Sequence, residues 1–255
     1  PIEGTSESVK ILSRQQILDY YHSLYTADNM AVVVVGDVDG QAVVQDVGKL
    51  FVDLPKTAKI PKIPDFVYPV NTSEKTIEMQ GNIGCIGLGF AGPAASEYSD
   101  VCAVDLLLAY IGYGYKSWMN EDLILNTGLA TDASADFLTH KYPGLISLAV
   151  EGKDANLTTL RDKLKTKIAK ISVEGISEAD LVRARRSLLG QFAFQNEVLS
   201  GIANTYGFYD RISDVEFADT YITHIQAVTN EDIKRVAQKY MDVNHAASII
   251  VRVKE

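Results

Sequence analysis

The stretch that most constrains the fold runs from Gly84 to Thr131. It opens as a glycine-punctuated apolar segment, Cys85 to Ala91, of strand length, and breaks at Gly92-Pro93, where proline cannot continue a ladder. From Val101 to Ile111 the chain is apolar almost all round, which is the pattern of a helix enclosed by protein rather than one lying on a surface. A Gly-x-Gly turn at Gly112 and Gly114, a second helix from about Ser117, and a new strand opening at Gly128-Leu129-Ala130 complete the stretch. A buried helix framed by apolar strands demands a sheet with helices laid on it.

Composition bounds the function classes. With 255 residues, 47% of them hydrophobic and 22% charged, the chain has material for one large domain, or one domain and part of another. Its apolar runs stay far short of the roughly 20 residues that span a bilayer, so no membrane span is expected. The net charge of −9 argues against a nucleic-acid partner, which calls for a basic face, and fits attraction of basic peptides. Cys85 and Cys102 both sit in apolar segments and read as free thiols rather than a disulfide, which leaves the compartment open among cytoplasm, periplasm and organelle matrix. The opening Pro1-Ile2-Glu3-Gly4-Thr5 has no Met, no basic n-region and no apolar h-region; the expectation is a processed product or an excised fragment.

Upstream of the central stretch, Ser13-Arg14-Gln15-Gln16 is a capping box. The helix it opens carries Ile17, Leu18, Tyr21, Leu24 and Tyr25 on one face and stops at Asp28-Asn29. Met30 to Val35 is a continuous apolar, β-branched run that predicts a strand buried on both faces, and Gly40 to Phe51 predicts a second helix. Pro55, Pro61, Pro64 and Pro69, interleaved with Lys56, Lys59 and Lys62, read as a stiff extended linker. The expected organisation is residues 1–55 as the tail of a first domain, 56–72 as linker and 73–255 as a second domain. In that second part, strand Lys75 to Gln80 is expected to pair with Cys85 to Ala91. Strands Leu129 to Thr139 and Leu145 to Glu151 are expected to join through Tyr142-Pro143-Gly144. Asp154 is placed as the cap of a helix to about Val173, Ser177 as the start of one running past Phe194, and Thr229 as the cap of a helix over Asp232 to Tyr240. Another helix is expected over Val215 to Ile225, and a closing strand over Ala246 to Val253. The order predicts an α+β fold, an antiparallel sheet with helices packed on one face.

Three places carry a family resemblance. The entry, Pro1-Ile2-Glu3-Gly4-Thr5, Leu12-Ser13, Tyr20-Tyr21, Tyr25, Asn29-Met30 and the run to Val35-Gly36-Asp37-Val38-Asp39, is the first. The strand Gly87 to Pro93 with the following Gly-x-Gly and Ser117 is the second. The third is Ile176 to Leu181 with Arg183-Ala184-Arg185, then Ile225 through Ala237. In order and spacing together, these resemble the second half of a zinc peptidase of the M16 family (pitrilysin, insulinase, mitochondrial processing peptidase), a LuxS-like half preceded by the tail of a similar domain.

What that resemblance implies is mostly an absence. The family uses an inverted His-x-x-Glu-His motif and a distal Glu to hold zinc with one position open for water, the motif's Glu taking that water's proton. None of His22, His140, His224 and His245 stands in such a motif, so no catalytic or metal residue is expected in this chain, and zinc is expected only in a partner or upstream half. Active members also supply an Arg and a Tyr, seven residues apart, that hold the substrate carbonyl and its oxyanion. Ile124 takes the Arg place and Thr131 the Tyr place; Ile has no donor, and a Thr hydroxyl is far shorter than a phenol. Tyr115 and Lys116 lie nearby as substitute substrate contacts, though solvated turn residues describe them equally well.

The functional expectation is a non-catalytic half that closes a peptide-binding chamber and helps hold an unfolded peptide for a zinc-bearing half, as a paired subunit or a homodimer. Two alternatives stand beside it: an inactive scaffold subunit of a larger complex, and a fragment of an active zinc endopeptidase whose motif lies upstream. Gly112-Tyr113-Gly114 lacks the further glycine and preceding strand of a phosphate loop, and Ser117 and Ser200 have no His-Asp arrangement to activate them.

Overall fold

The computed structural model describes residues 3–59 and 74–254. The first of these segments carries α1 (Ser6–Lys10), α2 (Arg14–Leu24) and α3 (Gly40–Leu50). The capping box before α2 forms as predicted: the Gln16 N–H donates to the Ser13 hydroxyl at 3.2 Å, and Gln16 Oε1 accepts the Ser13 N–H at 2.8 Å. Asp39 caps α3 by accepting from the N–H groups of Gln41 and Ala42. Neither α2 nor α3 buries a residue.

Met30–Val35 is a correction. The segment is not a strand, and Val32 and Val34 are about half exposed, at 50% and 48%. Its side chains suit a doubly covered strand, but a strand also needs neighbours for its N–H and C=O groups. None of the described strands pairs with it. After α3 the chain turns back. The Ala27 N–H donates to the Pro55 carbonyl at 2.9 Å and the Lys59 N–H to the Ser23 carbonyl at 2.8 Å, which ties residues 55–59 to 23–27. Most of the expected linker, with Pro61, Pro64 and Pro69, lies outside the described residues.

The second segment runs β1 (Glu74–Gln80), β2 (Gly84–Ala91), α4 (Tyr98–Ile111), a π-helical turn (Met119–Asn126), β3 (Ala130–Phe137) and β4 (Leu145–Gly152). It continues through α5 (Leu157–Glu174), α6 (Glu178–Gln195), α7 (Leu199–Ile212), α8 (Glu216–Ala227) and α9 (Asn230–Tyr240) to β5 (Ala247–Lys254). The strands form one sheet in the order β1-β5-β2-β4-β3. The fold is α+β, as expected, and the β2/β4, β2/β5 and β3/β4 ladders are antiparallel; the edge pair β1/β5 is parallel.

β1 therefore does not pair with β2, because β5 lies between them. The three residues 81–83 reach about 10 Å when extended, which is two strand spacings. The apolar run Ile249-Ile250-Val251 takes the interior place, and the charged Glu74, Lys75 and Glu78 stay on the exposed edge. Two helix expectations also change. Asp154 does not cap α5, whose N-cap is Asn156; its carboxylate accepts from Arg252 at 2.7 Å and from the Val253 N–H at 3.2 Å. And α7 fills a stretch with no predicted element.

α4 is the axis of the core, buried along almost its whole length. Ile86, Leu88, Ile146, Leu148 and Val150 of the sheet belong to the same cluster, as do Leu160, Leu164 and Ile168 of α5 and Ile233 and Val236 of α9. Ser177 and Thr229 cap α6 and α9 as expected. Leu181, Ala184 and Leu188 of α6 face inward, with Leu189 and Phe192 at the margin.

Candidate functional site

The connection from α4 to β3 carries Tyr115, Lys116 and Ile124, and the fourth predicted contact residue, Thr131, lies at the start of β3 just beyond it. α4 ends at Gly112, where a Cβ would sit 2.4 Å from the Ala135 Cβ, so only glycine lets the helix end meet β3 this closely. Gly114 has φ +80°, the left-handed geometry that turns the chain away. The buried Ser117 hydroxyl accepts the Asn120 N–H at 3.3 Å, and the Thr127 hydroxyl donates to the Asp122 carbonyl at 2.7 Å, which fasten the two ends of the π-helical turn. That turn packs on β3.

Ile124 lies on the π-helical turn with its side chain packed against the core. Thr131 is exposed at a β-bulge, where the ladder steps from Ala130 opposite Gly152 to Asp132 opposite Glu151. Tyr115 is 68% exposed in the loop. Lys116 donates to Glu121 Oε1 at 2.9 Å and lies 6.0 Å from the Tyr115 ring centroid. Tyr115 and Lys116 line a pocket of about 280 Å³ with Tyr110, Tyr113 and Arg183; Ile124 and Thr131 do not line it. The structure thus divides the four residues between two places.

The histidines stand on separate elements. His22 is edge-on to Tyr21, His224 packs beside Tyr98 and Phe217, and His245 Nδ1 is 2.6 Å from Asp242. The His140 carbonyl accepts the Ala95 N–H. Among the described residues no three His, Cys, Asp or Glu side chains are grouped to share a metal ion.

Period-two alternation gives the sheet two unlike faces. Ile86, Leu88, Ile146, Leu148, Val150 and Ile250 point into the core. The alternate positions Cys85, Gly87, Gly89, Ser147, Ala149 and Ser134 are small and half-buried. On the β3/β4 side of this second face, exposed Asp132 lies opposite Glu151, and exposed Asp136 opposite Ser147. On the β5 side stand Ile249 and Val251. Burial, followed by the charge of Glu151, pushes the Cys85 thiol above its ordinary range, so it is not an activated nucleophile.

Sequence reasoning passed over Asp105, although a lone carboxylate inside the apolar run of α4 was a visible signal. Its Oδ2 accepts the Tyr221 hydroxyl at 2.8 Å. Burial pushes its pKa up to about 7, against a smaller lowering from the Tyr221 hydrogen bond. Tyr209 and Tyr113 are raised by burial and then by Asp105.

A model of the peptidase M16 inactive domain matches residues 12–188. The chain belongs to the M16 peptidase family. The match ends inside α6, yet similarity to known M16-type proteins extends over nearly all of this chain. An uncharacterized zinc protease of Rickettsia felis is 24% identical over 98% of this chain and 60% of its own length. The zinc protease PqqE of Helicobacter pylori is 24% identical over 91% of this chain and 53% of its own length, and the non-peptidase homolog YmxG of the same organism 20% over 99% and 58%. The crystal structure of a peptidase M16 inactive domain from Pseudomonas fluorescens superposes with a TM-score of 0.87 at 18% identity, covering 99% of this chain and 61% of that one. This M16 chain therefore spans about three-fifths or less of the length of these proteins.

Proposed function

We propose that this chain is the non-catalytic half of an M16-type zinc metallopeptidase. It closes the peptide-binding chamber and helps hold an unfolded peptide for a zinc-bearing half, which is either upstream in the same polypeptide or a separate subunit. The observation that carries the reading is the placement of Ile124 and Thr131: an apolar side chain packed against the core, and a short hydroxyl at a bulge, where the family places an oxyanion-holding Arg and Tyr. Residues 1–55 serve in this reading as the tail of the zinc-bearing domain, which agrees with the bare faces of α2 and α3. The second sheet face forms the chamber wall. An extended peptide lies over its small residues, with basic side chains toward Asp132, Asp136 and Glu151.

A photo-crosslinking residue in place of Ser134 tests the wall. Capture of an unfolded basic peptide there, but not from the same residue in place of Lys234 on α9, is the expected result. Equal capture from both positions sinks this use of the sheet.

A second reading, a scaffold subunit that has lost peptidase function altogether, is favoured by the likeness to a protein named a non-peptidase homolog. Binding of the crosslinking peptide separates the two, since a scaffold captures none.

A further inference from the structure

The side of α5 turned away from the core carries a groove that plays no part in the proposed chamber. Leu157, Leu160, Leu164, Ile168 and Ile171 take the inner face of this helix. The outer stripe Thr159, Lys163, Thr166, Lys167 and Lys170 follows the spacing i, i+4, i+7, i+8, i+11. With Trp118 and Asp162 these residues line a groove of about 430 Å³.

Its electrostatics run against the rest of the chain. α5 holds five basic and two acidic residues, in a protein of net charge −9. Two of the groove's cations have carboxylate partners: Lys163 donates to Asp122 at 2.8 Å, and Lys170 lies 3.6 Å from Glu174, both groups more than half exposed. Asp162 is turned to Arg161 at 3.0 Å. Lys167 differs. Its ammonium lies 5.2 Å from the Tyr110 ring centroid and 5.3 Å from that of Trp118, and no carboxylate is within ion-pair distance of it among the described residues. Enclosure by these rings lowers its pKa from the ordinary lysine value, a loss of solvation that an incoming carboxylate replaces. The groove thus combines an indole, two threonine hydroxyls and a cation flanked by rings, on which Asp180, Asp122 and Glu174 act only from beyond ion-pair distance.

We propose that this groove docks an extended acidic segment of a protein partner. Its carboxylates meet Lys167 and the exposed Lys170, and its backbone or apolar side chains lie on Trp118. Charge complementarity names the partner, because a basic stripe on an acidic chain attracts carboxylates and leaves the remaining surface to repel them. A nucleic-acid backbone fits less well: its charges are continuous, whereas the stripe holds three lysines over three helical turns, two of them already partnered by carboxylates.

Trp118 is the only tryptophan of the chain, so its fluorescence reports on the groove directly. Decaglutamate added to the chain is expected to shift that emission saturably, and to bind less tightly as salt rises. Lys167→Glu with Lys170→Glu is expected to weaken binding at least about tenfold with an unchanged circular dichroism spectrum. Lys170→Glu alone, at an exposed position, weakens it several-fold and serves where the double variant does not fold. The proposal is overturned if decaglutamate leaves the emission unchanged, if the charge reversals do not alter affinity, or if oligothymidylate of equal length binds more tightly than decaglutamate.

Discussion

The Tyr221 hydroxyl on α8 donates a 2.8 Å hydrogen bond to Oδ2 of Asp105 on α4, joining two helices through a carboxylate whose other recorded ionisable neighbours are Cys102 and the phenols of Tyr113 and Tyr209. Burial raises the pKa of Asp105 from the ordinary 3.8 to about 7, so between these values the folded chain holds a proton that the unfolded chain releases. Stability is expected to fall as pH rises from about 4 through 7 and to level off above. The full shift corresponds to at most about 4 kcal/mol, and the partial exposure of Asp105 reduces the measured effect. Asp105→Asn removes this slope. Thermal midpoints of the two proteins should differ less at pH 5 than at pH 8, with the variant's relative advantage growing as pH rises; parallel pH profiles would contradict the assignment.

Asp100, in the first turn of α4, shows the opposite logic. Burial raises its pKa, but hydrogen bonds from Lys239, Tyr240 and Arg235 on α9 outweigh this and hold it down at about 2. This stabilisation is present above the unfolded value of 3.8 and is lost as pH falls through about 2. Asp100→Ala removes the mostly buried acceptor shared by Lys239, Tyr240 and Arg235, which retain only Glu97 and Asp232 as partners, and is expected to cost about 1–3 kcal/mol in urea unfolding at pH 7. Removing Glu97, which shares Lys239 and Tyr240 but is more exposed, costs less.

Gly112→Ala tests the close contact between the end of α4 and β3. The added methyl meets Ala135 at 2.4 Å, shorter than any relaxed contact, so β3 or the helix end must move. A loss of about 1–3 kcal/mol is expected by denaturant titration. The same change at Gly190, which has nothing within 4 Å of the added carbon, is expected to be neutral or stabilising.

Much of this was legible in the residues, and the exceptions share a cause. Capping boxes at Ser13 and Thr229 and the cap at Ser177 are local, so they survived intact. α4 announced itself because an all-round apolar helix has no alternative to enclosure. What failed was non-local. Nothing near β1 says that a strand 167 residues later, at Ala247, will separate it from β2. Met30–Val35 carries the right side chains for a buried strand, but pairing depends on neighbours outside the run. α7 has no capping side chain to mark its start, and Gly201 and Gly207 interrupt its pattern, so nothing local announces it as a helix. Of the site, the Ile124 and Thr131 positions came from family likeness. The acidic row across β3 and β4 needed the register.

The proposed loss of an Arg and Tyr pair makes a separate prediction. In the proposed complex with a zinc-bearing half, Ile124→Arg together with Thr131→Tyr is expected to raise peptide turnover at least about tenfold, as restored oxyanion donors should. Thr131→Tyr alone is expected to leave stability unchanged, because the bulge position is exposed. Unchanged turnover in the double variant, with the fold intact, removes the pair from the explanation.

The most direct test is zinc stoichiometry by mass spectrometry, on this chain alone and on the native species that contains it, which in the proposed reading includes a zinc-bearing half. The account predicts no bound zinc on the chain alone and about one zinc per pair of halves in the native species. Stoichiometric zinc on the isolated chain, or a native species of full length with none, would contradict it.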